Sequence, residues 1–309
     1  IIIKPAILMR RDGMISQLHY QIKHLMYKAT FGYLVPGRHR HSARIKHFFT
    51  NKSKILRYLY WLTVFKNGNA IPLAVDIETQ GQCNRACSYC PVSISEKRTG
   101  KMSDTTFSDI ISQMIDMKFK GQVRLSLYNE PLLDKNLEKF ISYTRSKLIY
   151  SVIKFNTNGD IMTVDRVKNL FNAGVDIIEI TNHDNKASKK LQALMQKVPK
   201  KYHDRIIIYD ICNIMLHDKG GILELPEDVE KGTHANKFGC VAQMGLVIDY
   251  RGNALLCCND YYAKNSLFTL PASSILSAWK KGKELRREIF FGRYKKQICI
   301  ACTKDVTIS

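Results

Sequence analysis

Cys83, Cys87 and Cys90 stand in a C-x3-C-x2-C spacing within Gln82-Cys83-Asn84-Arg85-Ala86-Cys87-Ser88-Tyr89-Cys90-Pro91, directly after an apolar run. Thiolates are soft ligands that suit zinc and iron-sulfur clusters, and cluster proteins carry them at short fixed spacings because one loop must reach several corners of a small cube. Three thiolates leave one iron of a cubane without a protein ligand, as a catalytic metal keeps a position open for a small molecule. The plainer chemistry for the same triplet is structural zinc or a set of buried cysteines.

A second group of cysteines lies near the other end of the chain: Cys240, the adjacent pair Cys257 and Cys258, and Cys299 with Cys302. Read alone, four thiolates of this kind suit structural zinc. Adjacent side chains in a strand point to opposite faces, so only one of Cys257 and Cys258 is expected to reach a shared metal centre.

The elements that must position these groups alternate between strand and helix after Pro72. Strands are expected over 73–79 (an apolar run with an inserted acid), 123–128, 151–157, 176–181 and 205–215. Helices are expected over 136–148, 163–173 and 186–198, with another after Ser103 that Gly121 ends. Such repetition implies parallel strands joined by crossover helices, with ligands at the carboxyl ends of the strands, where the first cysteine loop falls. The pattern changes near His234: strands over 244–249 and 254–258 are joined by a turn through Tyr250-Arg251-Gly252-Asn253, and a helix follows over 274–290.

The first cysteine loop, with Tyr89 just before its last cysteine, resembles that of the radical S-adenosylmethionine enzymes. The resemblance implies a 4Fe-4S cluster on Cys83, Cys87 and Cys90, whose open iron is chelated by S-adenosylmethionine. Reductive cleavage then yields a 5′-deoxyadenosyl radical that takes a hydrogen atom from an unactivated carbon. Tyr128-Asn129-Glu130-Pro131 is similar to the family's Gly-Gly-Glu-Pro stretch, which implies that Tyr89, Tyr128, Asn129 and Glu130 hold the cofactor. Asn156-Thr157-Asn158-Gly159 resembles a Thr-Asn-Gly segment, which puts Asn156 and Asn158 beside its ribose and carboxylate.

Thr181-Asn182-His183-Asp184 occupies a strand end that faces cofactor or substrate in the family, so His183 is an acid-base candidate. Leu216-His217-Asp218-Lys219-Gly220-Gly221 is similar to an Asn-Arg-Gly-Gly segment of relatives acting on sugars and cyclitols, with Lys219 in the arginine position, able to orient a hydroxyl or help remove its proton. The C-terminal cysteines resemble the twitch domain, a shortened SPASM extension, which implies an auxiliary 4Fe-4S cluster on Cys240, Cys258, Cys299 and Cys302. Cys257 would then face the core or the substrate as a candidate hydrogen-atom donor.

The expected fold is therefore α/β, a partial (β/α)6 TIM-type barrel over residues 71–233. A basic extension over 1–70 precedes it, and a small C-terminal iron-sulfur domain of β-hairpin plus helix, 234–309, follows. The implied function is hydrogen abstraction from a sugar-like or cyclitol metabolite, in dehydrogenation or epimerisation. Radical modification of a ribosomal peptide is the enzymatic rival, and a basic zinc protein of nucleic acid or membrane the non-enzymatic one.

Composition bounds the partners. A net charge of +21 arises from 48 Lys and Arg against 27 Asp and Glu, and from Lys4 to Lys66 the basic residues face only Asp12. Such a block attracts anions, so an anionic small substrate and peripheral contact with an anionic membrane are both expectations; the segment 55–66 is too short and too charged to span a bilayer. Nucleic acid ranks last, because no recognition motif accompanies the charge. Nine clustered cysteines without a signal-peptide pattern fit a reducing compartment, so the expected location is cytoplasmic, with flavodoxin or ferredoxin as the reducing partner.

Overall fold

The computed structural model describes residues 58, 61, 71–183, 189–211, 216–225, 235–236 and 239–303. The chain divides into two compact units, Ile1–Lys46 and His47–Ser309. The first unit lies outside the described residues, as do Asp184, Cys212 and the boundary expected at 233/234.

Strands β1 (Ala74–Ile77), β2 (Gln122–Arg124), β3 (Val152–Thr157), β4 (Ile177–Asn182) and β5 (Ile206–Asp210) pair in chain order, all parallel. A short antiparallel pair follows, β6 (Ala235–Asn236) with β7 (Gly239–Cys240). Strand β8 (Gly245–Ile248) then returns to the other side of β1, also parallel, and β9 (Asn253–Leu255) and β10 (Phe268–Thr269) continue from it antiparallel. The sheet runs β10-β9-β8-β1-β2-β3-β4-β5. Among the described residues six strands of this sheet run parallel, the sixth beside the first, and β10 and β5 end it. The hairpin expected around Tyr250 is β8 and β9, and it extends the same sheet that carries the first cysteine loop.

Crossover helices α1 (Asp104–Asp116), α2 (Leu137–Lys147), α3 (Val164–Ala173) and α4 (Lys189–Lys197) lie between the parallel strands in sequence. Helix α1 begins where the Ser103 side chain accepts from the Thr106 amide at 3.0 Å, and its buried Phe107, Ile110, Ile111 and Met114 repeat at helical spacing. Helix α3 is capped the same way by Thr163 and ends at Gly174, whose φ of 107° places it in the left-handed region.

The strands sort their side chains by the two-residue period. Val75, Ile77, Ile153, Phe155, Ile178 and Ile180 are fully buried in one core with α1 and α3. On the opposite parity stand Asp76, Arg124, Lys154 and Glu179, and Lys154 and Glu179 form a buried ion pair at 3.0 Å. The inserted acid of β1 is therefore one end of a charged row on the sheet's inner face.

The helix expected over 274–290 is two, α5 (Ile275–Lys281) and α6 (Lys283–Phe290), divided at Gly282, a weak helix former. Helix α7 (Gln297–Thr303) carries Cys299 and Cys302, both buried. Trp61, from the aromatic segment 55–66, is buried with its ring 5.1 Å from Phe290 and 5.9 Å from Phe291. Among the described residues no helix is long and apolar enough to cross a membrane.

Candidate active site

The loop after β1 carries Cys83, Cys87 and Cys90, all unpaired and half-buried. Its tight end is set by backbone bonds, the Cys90 amide donating to the Cys87 carbonyl at 2.9 Å and Ser93 to Cys90 at 3.0 Å. Burial pushes the Cys83 and Cys90 thiols above their ordinary range, while the backbone amides of Arg85 and Val92 favour their thiolates. Three soft donors on one loop, with amides aimed at sulfur, fit a polynuclear iron-sulfur group better than a hard cation.

The loop is held to the strand ends on two sides. Arg85 donates to both Asp160 oxygens, at 2.6 and 2.5 Å, and Asn84 adds a bond at 2.9 Å; this holds the Asp160 carboxyl below its usual range. Asn158 donates from its side chain to Asn84 at 2.8 Å. On the other side the Glu130 amide donates to the Gln82 carbonyl at 2.9 Å, and Gln80 reaches the Glu130 carbonyl at 2.9 Å.

The carboxylate of Glu130 is buried and turned inward. It accepts from the Thr157 hydroxyl at 2.7 Å, the Asn158 amide at 2.8 Å and the Leu132 amide at 3.0 Å. Its side chain thus ties the segment after β2 to the end of β3, while its own backbone holds the first cysteine loop. Asn129 is similarly engaged, its side-chain oxygen accepting from the Leu127 amide at 3.0 Å.

Glu78, one residue past β1, is fully buried and grips Arg98 with both oxygens, at 2.9 and 2.6 Å, while the Tyr128 amide donates to it at 3.1 Å. Burial pushes the Glu78 carboxyl up, and Arg98 opposes that shift. The guanidinium lies 4.7 Å from the Tyr250 ring centroid and 5.0 Å from that of Tyr261, whose hydroxyl meets Ser95 at 2.5 Å. Tyr250 in turn rests on two glycines: a Cβ at Gly100 would lie 2.2 Å from its ring, and Gly81 donates to the Gly100 carbonyl at 2.9 Å. This layer joins the first cysteine loop to the segment that carries Cys257 and Cys258.

Those two cysteines line one pocket together with Cys240, Cys299 and Cys302. Cys257, expected to point away from the metal centre, lies on this pocket because β9 ends at Leu255 and strand alternation no longer applies at 257 and 258. Burial pushes Cys240 up to about 12 and Cys299 up to about 11; Cys302, Cys258 and Cys299 each raise Cys240 further, as thiolates gathered in one place do. Asn259 donates to the Cys302 sulfur at 3.5 Å. Among the described residues no three His, Cys, Asp or Glu side chains converge on a point where one ion would sit. Gly239, at φ 127°, lets Cys240 in: a Cβ there would meet the Phe290 carbonyl oxygen at 1.9 Å.

Of the remaining candidates, Tyr89 and His183 meet at the first loop, Tyr89 Oη bonding His183 Nδ1, with the rings stacked 5.9 Å apart. His183 Nδ1 is 3.9 Å from the Cys87 sulfur. Asn156 donates its amide to Ser126 Oγ at 2.9 Å and bonds Glu179 through its side chain, on the inner face of the sheet. Lys219 holds its ammonium 5.9 Å from the Tyr128 ring centroid, and its charge favours the thiolates of both Cys90 and Cys258. Tyr128 Oη bonds the Cys258 carbonyl. Lys219 and Tyr128 therefore lie between the two cysteine groups.

Sequence reasoning missed Glu78, Arg98, Tyr261 and the Arg85–Asp160 pair. The available signal was an acid ending an apolar strand, which requires a buried counter-charge, but the partner lies twenty residues on.

Residues 77–205 match the Radical SAM superfamily. The S-adenosyl-L-methionine-dependent 2-deoxy-scyllo-inosamine dehydrogenase of Niallia circulans is 28% identical over 232 residues, spanning 74% of this chain and 91% of that enzyme. The crystal structure of BtrN in complex with AdoMet and 2-DOIA superposes with a TM-score of 0.68 at 26% identity, over 77% of this chain and 96% of that one. Native anSMEcpe with bound AdoMet shares the fold, at a TM-score of 0.50 and 14% identity over 76% and 92% of the two chains. The three-cysteine loop at the end of the first strand, the tied segments around it and these similarities together identify residues 77–205 as a radical SAM domain, a family that implies a 4Fe-4S cluster and S-adenosylmethionine.

Proposed function

We propose that this enzyme oxidises a secondary alcohol of an aminocyclitol to a ketone, with an auxiliary 4Fe-4S cluster in the C-terminal thiol pocket receiving the electron. The observation that carries the reading is the position of Lys219 and Tyr128 between Cys90 of the first loop and Cys258 of the second group. Similarity to the inosamine dehydrogenase, over nine-tenths of that enzyme, supports the substrate class.

S-adenosylmethionine, when bound at the first cluster, supplies the 5′-deoxyadenosyl radical that takes the hydrogen atom from the carbinol carbon. The Tyr128–Glu130 segment, Asn158 and Tyr89 orient that cofactor, and the Glu130 side chain fixes the two segments on which they stand. The Lys219 ammonium orients the substrate hydroxyl, whose proton passes to solvent water, so that one hydrogen atom, one proton and one electron leave the alcohol. Cys240, Cys258, Cys299 and Cys302 would hold the auxiliary cluster, with Cys257 left as a thiol beside it, in a twitch-like unit whose β8 to β10 join the sheet of the partial barrel. The first electron comes from flavodoxin or ferredoxin.

The test is anaerobic incubation of reconstituted enzyme with S-adenosylmethionine, reduced flavodoxin and 2-deoxy-scyllo-inosamine, followed by mass spectrometry. The expected result is a ketone with two hydrogens fewer, formed in step with 5′-deoxyadenosine, and neither product from the Cys87→Ala variant. Deoxyadenosine formed at one rate with and without the cyclitol, and no ketone, would exclude this substrate class.

A further inference from the structure

Arg286 is fully buried in α6, yet among the described residues no carboxylate meets it. Its guanidinium lies 4.0 Å from the Trp279 ring centroid, and one terminal nitrogen donates to the Gln243 and Gly245 carbonyls at 3.3 and 3.2 Å. Nε and the second terminal nitrogen have no hydrogen-bond partner among the described residues. A buried cation without an anion is strongly disfavoured, and two carbonyls and a ring face offset only part of that. Burial accordingly holds Arg286 down to about 9, and the group that opposes this shift is the Cys257 thiol.

The surroundings of Arg286 are the wall of the thiol pocket. Gln243, whose carbonyl it holds, lines the pocket beside Cys240, Cys257 and Cys258. Ile289 and Leu285, on the same helix, pack with Cys240 and Cys299 in one apolar cluster. A cuboidal cluster bound by four thiolates carries net negative charge, which a fixed neighbouring cation both holds and makes easier to reduce.

We infer that Arg286 is the built-in counter-cation of the auxiliary cluster, holding it in the pocket and raising its reduction potential. The inference rests on the auxiliary-cluster reading above. Arg286 does not touch the reacting atoms, so it is a positioning residue for the electron acceptor. The same charge that stabilises the loaded pocket destabilises the empty one. Replacing it by an uncharged side chain of similar length should therefore have opposite effects in the two states.

The experiment compares parent, Arg286→Met and Arg286→Lys, full-length and reconstituted, by iron content, thermal unfolding and redox titration monitored by electron paramagnetic resonance. A Cys83→Ala, Cys87→Ala, Cys90→Ala background isolates the auxiliary signal. In the loaded protein Arg286→Met should shift that potential to more negative values and speed loss of the cluster to a chelator several-fold, with Arg286→Lys restoring most of both. After the iron is stripped, Arg286→Met should unfold at a temperature equal to or above the parent's. A parent that takes up only the first cluster overturns the auxiliary-cluster reading itself. A parent with both clusters whose potential is unchanged in Arg286→Met overturns only the role of Arg286. So does an Arg286→Met protein that is less stable or unfolded without iron, and so does an effect that vanishes in a Cys257→Ala background, which would put the anion on Cys257.

Discussion

The Asn158 backbone amide donates to the buried carboxylate of Glu130 at 2.8 Å, across the ends of two neighbouring strands. Thr157 bonds the other oxygen at 2.7 Å, so one side chain sets the spacing of the two segments. Hydrogen bonds to a charged acceptor contribute roughly 1.5–3 kcal/mol each, and not additively. Glu130→Ala is expected to lower stability by about 3 kcal/mol and to weaken S-adenosylmethionine binding, with Glu130→Gln intermediate. Denaturant titration and the change in the cluster's paramagnetic spectrum on adding cofactor check the two effects separately. Unchanged cofactor affinity in the alanine variant would confine Glu130 to folding.

Arg98 and Glu78 pair face to face in a site almost closed to solvent. Removing one member of a buried pair costs about 3–5 kcal/mol, because the other charge is left uncompensated. Arg98→Ala should therefore be destabilised by that much, and Arg98→Leu combined with Glu78→Leu should recover part of the loss. Arg98→Lys should fall between, since an ammonium cannot match two oxygens and lie between two tyrosine rings at once. Equal losses in the single and double variants, measured by urea unfolding, would contradict the pairing.

Five cysteines line the C-terminal pocket, one more than a 4Fe-4S cluster there would take. Cys258→Ala is expected to lower iron from about eight to about four per chain, leaving the first cluster and its cleavage of S-adenosylmethionine in place, whereas Cys257→Ala leaves about eight. Iron and sulfide analysis after anaerobic reconstitution reads this directly. The opposite pattern would exchange the two assignments, and zinc in place of iron would remove the auxiliary cluster from the mechanism.

Gly100 has no space for a side chain: its Cβ would fall 2.2 Å from the Tyr250 ring. Overpacking of this kind costs about 1–3 kcal/mol. Gly100→Ala should show such a loss in thermal unfolding, together with poorer iron retention by the first loop. In a Tyr250→Ala background the added cost of Gly100→Ala should disappear, since the clash partner is gone.

What could be read from the chain was local. The 3-and-2 spacing of Cys83, Cys87 and Cys90 lies within one loop, and the helical and two-residue periods around Phe107 and Ile153 are properties of single elements, so the cysteine loop's place after the first strand and the α/β class were both legible. The order of the parallel strands β1 to β5 followed from their short crossovers. Tertiary structure alone decided that β8 returns beside β1 and that Cys257 and Cys258 share a pocket. It also decided that Glu130 is spent on tying strand ends, and that Arg286, amid the charges of Lys283-Glu284-Leu285-Arg286-Arg287-Glu288, is buried while its neighbours are solvated. The physical reason is the same in each case: whether a polar side chain is solvated, paired or left facing a cofactor depends on groups tens of residues away, and no local period records them.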